Sequence, residues 1–162
     1  MKIVLLSDTH GHMDERILRH AEGCDEVWHA GDIGNVQVTD QLSEVAHCRA
    51  VYGNIDGEAV RRTWPEHQTF ELEGLTFWMT HIGGRPPKYA RGILPQLKSN
   101  SPDVFICGHS HILLVKRVAS WGGLHLNPGA AGQSGFHKVC TMLKFDVLDG
   151  SIDNMKVVEW AR

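Results

Sequence analysis

The sequence predicts an α/β fold of two packed β-sheets with helices outside them, and two observations favour it. Within the first 60 residues, short apolar runs alternate with segments whose apolar residues lie on one helical face, which is typical of parallel strands with right-handed crossovers. After residue 112 the chain shows successive strand patterns separated by turn residues, which is typical of antiparallel sheet. We expect the 162 residues to form a single domain, 1–162.

The first part of the chain is expected to contain three strands and two helices. Short apolar runs predict strands at 2–8, 26–30 and 49–52. Helices are predicted near 13–22 and 36–46, because apolar residues recur on one side of each segment.

The middle of the chain combines a hairpin with a third helix. Strand patterns at 68–73 and 75–81 flank Gly74, which predicts a hairpin or a sheet edge with a tight turn. A helix is predicted over 87–98, entered through Pro86-Pro87.

The last part of the chain is expected to be rich in strands. A short buried strand is followed by four more strands, and Asp149-Gly150 is a hairpin turn between the last two. The predicted strands are 103–107, 113–120, 123–127, 138–147 and 151–160.

Composition limits the classes of partner. The net charge is −3 and no long run of basic residues is present, so a long nucleic acid is not expected as a partner. A small phosphate-bearing molecule stays compatible with the sequence, because bound metals would supply local positive charge. No stretch approaches the roughly 18 apolar residues of a membrane span, and the N-terminal apolar run is too short for a signal peptide.

The four cysteines are far apart and form no paired motif, which argues against a disulfide framework or a structural zinc site. A reducing compartment fits this pattern, so we expect a cytoplasmic protein with no membrane association. We expect the aromatic residues Trp64, Trp78 and Trp121 to fill the core, with an interface as the alternative. The sequence is compatible with a homo-oligomer.

Five apolar runs end in residues that bind hard metal ions or phosphate. In open α/β sheets, ligands bind outside the carboxyl ends of strands, so strands of one buried sheet would bring these residues to a single crevice. The set is too large for one tetrahedral metal, which favours a two-metal hydrolytic centre. The run ends are Asp8-Thr9-His10, Gly31-Asp32, Gly53-Asn54-Ile55-Asp56, His81 and Gly108-His109-Ser110-His111.

Two pairs in this set share a spacing of two residues. In extended backbone, Asp8 and His10 would point the same way and could bind one ion together. The same spacing would let the imidazoles of His109 and His111 converge. A helix-capping Asp, or solvated histidines in a turn, are the alternatives for these pairs.

Asp32, Asn54 and His81 become candidate ligands because they occur together with the other strand-end residues. Alone, Asp32 after Gly31 would more often be a helix N-cap, Asn54 a turn residue and His81 a structural histidine. Together they fit two cations about 3.5–4 Å apart, which hold phosphoryl oxygens and activate water. Asp and His suit Mn, Fe, Co, Ni or Zn. Neither a serine-hydrolase elbow nor a nucleotide-binding glycine motif is present.

The order of these five motifs resembles the calcineurin-like metallophosphoesterase superfamily. The short chain and simple C-terminal β region are similar to the small YfcE-type phosphodiesterases. The resemblance implies a four-layer α/β/β/α sandwich. The activity it implies is hydrolysis of a small phosphate ester by a hydroxide between two divalent ions, and Mn is the first candidate among the metals named above. It also implies that Asp56 orients its loop and that the turn Asn127-Pro128-Gly129 lies beside the site.

The same resemblance assigns the ligands to two metals, with Asp32 as the bridge, and makes four of them the catalytic residues. The first set is Asp8, His10, Asp32 and His111, and the second, catalytic set is Asp32, Asn54, His81 and His109.

One departure from the family pattern concerns the leaving group. Many members have a His between the Asn and Asp of the third motif, where it acts as a proton donor, and here the residue is Ile55. We therefore expect better turnover of acidic leaving groups than of alkyl ones. His12 could replace the acid and Arg85 could contact the substrate phosphate; a solvated turn His and a surface Arg are the alternatives.

Two other functions stay open for this fold. The superfamily includes a retromer subunit of similar size that serves in assembly, but such scaffolds tend to lose ligands and none is missing here. Cleavage of single-stranded nucleic acid shares the chemistry, and the acidic balance counts against it.

Overall fold

Two five-stranded mixed sheets form the framework of the structure, a computed structural model that describes residues 1–162. Strands and helices alternate through the first 63 residues and strands dominate after residue 100. In chain order the elements are β1 (Lys2–Leu6), α1 (Glu15–Ala21), β2 (Glu26–His29), α2 (Val36–Val45), β3 (His47–Ala50), α3 (Glu58–Thr63), β4 (His67–Leu72), β5 (Leu75–Thr80), β6 (Gly84–Arg85), β7 (Lys88–Tyr89), α4 (Ile93–Asn100), β8 (Val104–Ile106), β9 (Leu113–Arg117), β10 (Leu124–Pro128), β11 (Val139–Leu148) and β12 (Ser151–Ala161).

The first sheet has the strand order β12-β11-β1-β2-β3. Strands β1, β2 and β3 are parallel, and β11 and β12 continue the sheet in antiparallel fashion. The second sheet has the order β4-β5-β8-β10-β9, with three parallel strands inside and an antiparallel strand at each edge. The predicted change from parallel to antiparallel pairing is therefore confirmed, but it occurs within both sheets.

The two sheets pack face to face, and helices cover both outer faces. Strand β1 illustrates why, since alternate side chains of a strand point to opposite faces. Ile3 and Leu5 lie in the core between the sheets, whereas Val4 and Leu6 pack on the helical side. Trp28 fills the inter-sheet core, with its ring centroid 4.9 Å from that of Phe77.

The outer layers complete the four-layer α/β/β/α sandwich that was predicted. Buried residues of α1, α2 and α3, among them Ile17 and Leu42, pack on the first sheet. Helix α4 covers the second sheet, where Leu97 packs with Trp78 and Phe105. None of these helices is long and apolar enough to cross a membrane.

Two parts of the sequence-based assignment differ from the structure. The helix predicted over 87–98 is confirmed from Ile93 onward but its predicted start is wrong, because residues 88–89 form the second strand of the β6–β7 ribbon. Gly92, directly before it, has a φ of +83°, which no helical residue adopts. Helix α3 was missed because it has six residues and buries only Val60, too little for an amphipathic pattern.

The expectation that one sheet supplies all five motifs is also wrong. The first three motifs follow β1, β2 and β3 of the first sheet, and the other two follow β5 and β8 of the second. The loops nevertheless meet, since His81 Nδ1 lies 2.7 Å from the Ala30 carbonyl oxygen and the His109 amide donates to Asp8 Oδ2 at 3.1 Å. The crevice is therefore shared between the sheets.

Candidate metal centre

Most of the candidate ligands lie in left-handed backbone, not in extended strand. Strand β1 ends at Leu6, so Asp8 and His10 are not aligned by extended backbone as expected, although they do lie in one group of converging ligands. Left-handed backbone costs an L-residue roughly 1–2 kcal/mol, and such strain clusters at functional sites. The residues concerned have φ values of 57° at Asp8, 49° at His10, 53° at Asp32, 66° at His109 and 56° at His111.

Hydrogen bonds between the loops hold these backbone conformations. The Asp8 amide donates to the Gly31 carbonyl at 2.9 Å, and the His10 amide donates to the Asp32 carbonyl at 3.0 Å. The loop after β1 is thus fastened to the loop after β2. The side chains of both loops are thereby fixed against each other.

The first group of converging ligand atoms contains Asp8, His10 and His111, all within 4.8 Å of one another. His111 Nε2 lies 3.1 Å from Asp8 Oδ1. Asp8 is fully buried, while the two imidazoles are partly exposed. The group therefore opens to solvent on the side of its histidines.

The second group contains Asp32, His81 and His109, again within 4.8 Å. His81 Nε2 lies 3.2 Å from Asp32 Oδ1. His109 and His111 therefore belong to different groups, and the expectation from spacing that their imidazoles converge is wrong. Each adopts left-handed backbone, so the extended geometry behind that expectation does not apply.

Asp32 joins the two groups. Its Oδ1 faces His81 Nε2 in the second group, and its Oδ2 lies 3.7 Å from His10 Nε2 in the first. Asp8 Oδ1 lies 3.9 Å from His81 Nε2, so the groups are contiguous. A carboxylate with one oxygen toward each group has the position that a bridging ligand requires.

Three polar atoms that point into this cluster are buried and lack a hydrogen-bond partner: Asp8 Oδ1, His10 Nε2 and His81 Nε2. Such orphaned atoms are rare in folded proteins. The second polar atom of the His81 side chain and that of the Asp8 side chain do have hydrogen-bond partners. His81 Nδ1 bonds to the Ala30 carbonyl, and Asp8 Oδ2 accepts from the His109 amide. Metal ligands typically show this division, so the residues fit divalent cations.

The pKa values in the cluster indicate that it favours positive charge. Burial raises the pKa of Asp32, but the His81 imidazole 3.2 Å away and the Ile55 amide outweigh it and lower the pKa overall. Burial lowers the pKa of His81, but the nearby carboxylates of Asp32 and Asp8 outweigh it and raise the pKa overall.

Asp56 and Asn127 support the loops that carry the ligands. The Asp56 carboxylate accepts from the amides of Ile33, Gly34 and Gly53 at 3.1, 2.6 and 2.7 Å, so it ties two loops together. The Asn127 amide nitrogen donates to the Gly108 carbonyl at 2.9 Å. Both residues lie where the family resemblance implies.

Glycine is required where the loops approach most closely. A Cβ at Gly53 would lie 2.1 Å from Asp32 Oδ1, and one at Gly108 would lie 2.0 Å from Ser7 Oγ. Either contact is far shorter than atoms allow, so a side chain would displace the ligand loop. The sequence prediction that Gly108 leaves room for close approach agrees with this geometry.

Asn54 lies at the rim of the second group. Its exposed side chain and His81 line a cavity of about 480 Å³, which we call the Asn54 cavity. The neighbouring Ile55 is 45% exposed, and its amide donates to Asp32 Oδ1 at 3.1 Å. The assignment of Asn54 as a metal ligand stays a prediction.

The structure does not bring His12 and Arg85 together with the ligand groups. His12 lines a separate groove with Asp14 and Arg19. Arg85 lies on the β6–β7 ribbon, in a groove shared with Lys88 and Lys116. Their substrate contacts stay predictions. The largest cavity, about 610 Å³, lies elsewhere, is lined partly by Trp121 and holds none of the candidate ligands.

Sequence reasoning missed Arg61, which lies beside the second group. Its guanidinium donates to the carbonyls of Asp56 at 2.6 Å and Gly53 at 3.2 Å, and stacks 4.4 Å from the Tyr52 ring centroid. It lines the Asn54 cavity. Arg61 belongs to α3, and recognition of that helix would have been the signal for it.

His137 was also missed, and it contacts the first group. Its Nδ1 lies 3.2 Å from His111 Nδ1, and its Nε2 lies 2.9 Å from the Gly132 carbonyl oxygen. It comes from the loop between β10 and β11, where no motif marks it. No signal in the single sequence distinguishes it from a surface histidine.

Comparison with known proteins agrees with this geometry. Residues 1–150 match the family model described as the calcineurin-like phosphoesterase superfamily domain. A probable metallophosphoesterase from Mycoplasma pneumoniae is 36% identical over 80% of this chain and 78% of its own length. A phosphodiesterase from Methanocaldococcus jannaschii is 30% identical over 80% of this chain and 83% of its own.

Solved structures share the fold over nearly the whole chain. An archaeal phosphodiesterase superposes with a TM-score of 0.76 at 25% identity, covering 98% of this chain and 100% of the other. Vps29 from Chaetomium thermophilum superposes with a TM-score of 0.78 at 16% identity, covering 99% and 97%. The second likeness concerns the fold alone.

Proposed function

The chain belongs to the calcineurin-like phosphoesterase superfamily, and we propose that it is a phosphodiesterase that hydrolyses a small phosphate ester. The reaction would use two divalent metal ions, for which Mn is the first candidate. The protein's class is a hydrolase of phosphoester bonds. The observation that carries the proposal is the pair of ligand groups joined by Asp32, with three buried ligand atoms left without partners.

The ligand roles follow from the two groups. Asp8, His10 and His111 would hold one ion, while His81 and His109 would hold the other, with Asp32 shared and Asn54 completing the second set. When bound, two such ions supply positive charge to phosphate oxygens and lower the pKa of a coordinated water.

The chain's own residues would orient the substrate. Arg61 and Arg91 line the Asn54 cavity and offer positive charge to an anionic ester. Arg61 is held by the Asp56 and Gly53 carbonyls, so its guanidinium is fixed before the substrate binds. Ile55 has no proton to give, which supports a preference for leaving groups that depart as stable anions.

Hydrolysis of bis(4-nitrophenyl) phosphate, compared with its monoester, tests the proposal. The protein is reconstituted with Mn²⁺ or Ni²⁺, and we expect faster turnover of the diester. Asp32→Asn and His109→Ala should each lower the rate at least about 100-fold, because the first replaces the bridging carboxylate by a neutral amide with one oxygen and the second removes a ligand. A wild-type rate no higher than that of these variants would contradict the proposal.

The alternative is a scaffold on the same fold. The likeness to Vps29 shows the fold alone, whereas the curated relatives are a probable metallophosphoesterase and a phosphodiesterase. The presence of the charged ligands in two converging groups favours the enzyme. The scaffold would become the better hypothesis if metal-loaded protein hydrolysed neither ester.

A small ester is also favoured over a long nucleic acid. The net charge of −3 provides no general attraction for a polyanion.

The four cysteines are all free and buried, which supports a reducing compartment such as the cytoplasm.

A further inference from the structure

A cavity of about 520 Å³ adjoins the ligand groups on the side of the loop between β10 and β11. We call it the Phe136 cavity. Its wall includes His109 from the second ligand group and His111 from the first. A phosphate held at these groups would therefore direct one of its substituents into this space. The remaining lining residues are Ser110, Ile112, Gly135, Phe136 and His137.

Phe136 is fully exposed, at 105% of its reference accessibility, and Ile112 in the same cavity is 52% exposed. Burial of a large apolar side chain away from water stabilises a protein. Phe136 contributes no such stabilisation within this chain, because its side chain is not buried. Two exposed apolar residues that share one cavity form a patch that a ligand can cover.

The loop that carries Phe136 is held at both sides of the ring. Arg162 donates to the carbonyls of Gly135 at 2.6 Å and His137 at 3.1 Å. The His137 imidazole contacts both the Gly132 carbonyl and His111. The backbone on both sides of Phe136 is therefore held beside the site, and this part of the loop need not be ordered when a ligand binds.

The charge of the two cavities differs. The Phe136 cavity has no carboxylate, lysine or arginine in its lining. The Asn54 cavity, by contrast, is lined by Arg61, Arg91 and Glu66. The two share no residue, so the space beside Phe136 suits a neutral, flat group, whereas an anionic group suits the other.

We propose that the Phe136 cavity binds an aromatic or heteroaromatic substituent of a phosphate ester whose phosphate lies at the two ligand groups. This proposal rests on the proposed phosphoesterase function and names its substrate class. The ring of the substituent packs against Phe136 and Ile112, and offset or edge-to-face contact of two rings is favourable. The Ser110 hydroxyl accepts from the Asn127 side chain and the Ile112 amide, so its proton stays available for a ring heteroatom.

Calorimetric binding of two phosphonates to the Mn²⁺-loaded protein tests this. Phenylphosphonate and methylphosphonate share the anionic group and differ in the substituent. We expect phenylphosphonate to bind about 3- to 10-fold more tightly, the range that an aromatic pair contributes. In Phe136→Ala most of this preference should be lost, because only Ile112 remains to pack against the phenyl ring, and the affinity for methylphosphonate should be unchanged.

Two variants provide the controls. Phe136→Tyr keeps the ring and should keep the preference for phenylphosphonate. Leu148→Ala removes a side chain that is 55% exposed at the end of β11, outside the cavity, and should also keep it. Since Phe136 packs against nothing, Phe136→Ala should melt at the wild-type temperature, which shows that the variant is folded.

The outcomes separate the subsite from the activity. If both phosphonates bind with equal affinity to the wild type, or if Phe136→Ala keeps the preference, the subsite is refuted while the phosphate site stands. If neither phosphonate binds the metal-loaded protein, the proposed phosphoesterase site fails, and the subsite fails with it.

Discussion

His111 and His137 meet through their Nδ1 atoms, 3.2 Å apart, and this contact fixes which ring nitrogens carry protons. His137 Nε2 lies 2.9 Å from the Gly132 carbonyl and must donate to it, so its Nδ1 is the acceptor. The proton between the rings therefore belongs to His111 Nδ1. That leaves His111 Nε2, which faces Asp8, with a free lone pair for a cation.

Removal of His137 should weaken metal binding. In His137→Ala the affinity for Mn²⁺ is expected to fall about 10-fold or more, because outer partners of ligating histidines have effects of that size. His137→Gln keeps an acceptor for the His111 proton and should recover part of the affinity. Titration with Mn²⁺ measures both, and the exposed His47→Ala is the control. Equal affinities in all four proteins would show that His137 does not position His111.

A methyl group at residue 53 should impair the site. The Cβ in Gly53→Ala would lie 2.1 Å from Asp32 Oδ1, so Asp32 must move away from one of the ligand groups. We expect at least about a 10-fold loss of diester hydrolysis, corresponding to about 1.4 kcal/mol. The matched control is Gly57→Ala, because nothing lies within 4 Å of its added Cβ. If the two variants hydrolyse the diester alike, the close approach has no effect on the reaction.

Asp56 should contribute to stability as well as to the site. In Asp56→Asn one of the two carboxylate oxygens becomes an NH2 donor, which then faces either the Gly34 amide or the amides of Ile33 and Gly53, and the negative charge is lost. Since a hydrogen bond to a charged group contributes about 1.5–3 kcal/mol, we expect the free energy of unfolding to fall by at least about 2 kcal/mol. Urea denaturation measures it. The exposed Asp40→Asn on α2 should change it by less than about 0.5 kcal/mol.

Two buried histidines should make the fold sensitive to acid. Burial lowers the pKa of His29 and that of His125 to about 4, below the ordinary value of 6.5. Between pH 6.5 and pH 4 the unfolded chain binds more protons, so this stability is complete above pH 6.5 and is lost as the pH falls. From pH 7 to pH 5, each histidine should reduce the free energy of unfolding by roughly 2 kcal/mol.

Urea denaturation at pH 7 and pH 5 checks this dependence on pH. His125→Phe removes one titrating group and keeps a ring beside Tyr89 and Phe105. The difference in unfolding free energy between the two pH values should shrink by the share of His125. An unchanged difference in this variant would mean that His125 is not the source of the effect.

The sequence was sufficient for the framework and for the identity of the ligand loops. Strand runs such as 26–30, and turn pairs such as Asp149-Gly150, carry local signals that do not depend on distant contacts. The short helix α3 could not be predicted, because a single buried Val60 gives no periodicity.

The grouping of the ligands depends on contacts between distant loops. The separation of His109 from His111 follows from backbone torsions that residue spacing does not encode. The contact between His137 and His111 joins loops 26 residues apart. A single sequence contains no local signal for such a contact.

The left-handed ligand residues also bear on how such a site could be lost. At His10, Asp32 and His109 the backbone suits glycine or asparagine better than the residue present. A lineage that no longer needed catalysis could therefore gain stability by the same substitutions that remove metal binding. Decay of the site would then be favoured by folding itself, because only the role of these residues as ligands would offset the cost of their backbone.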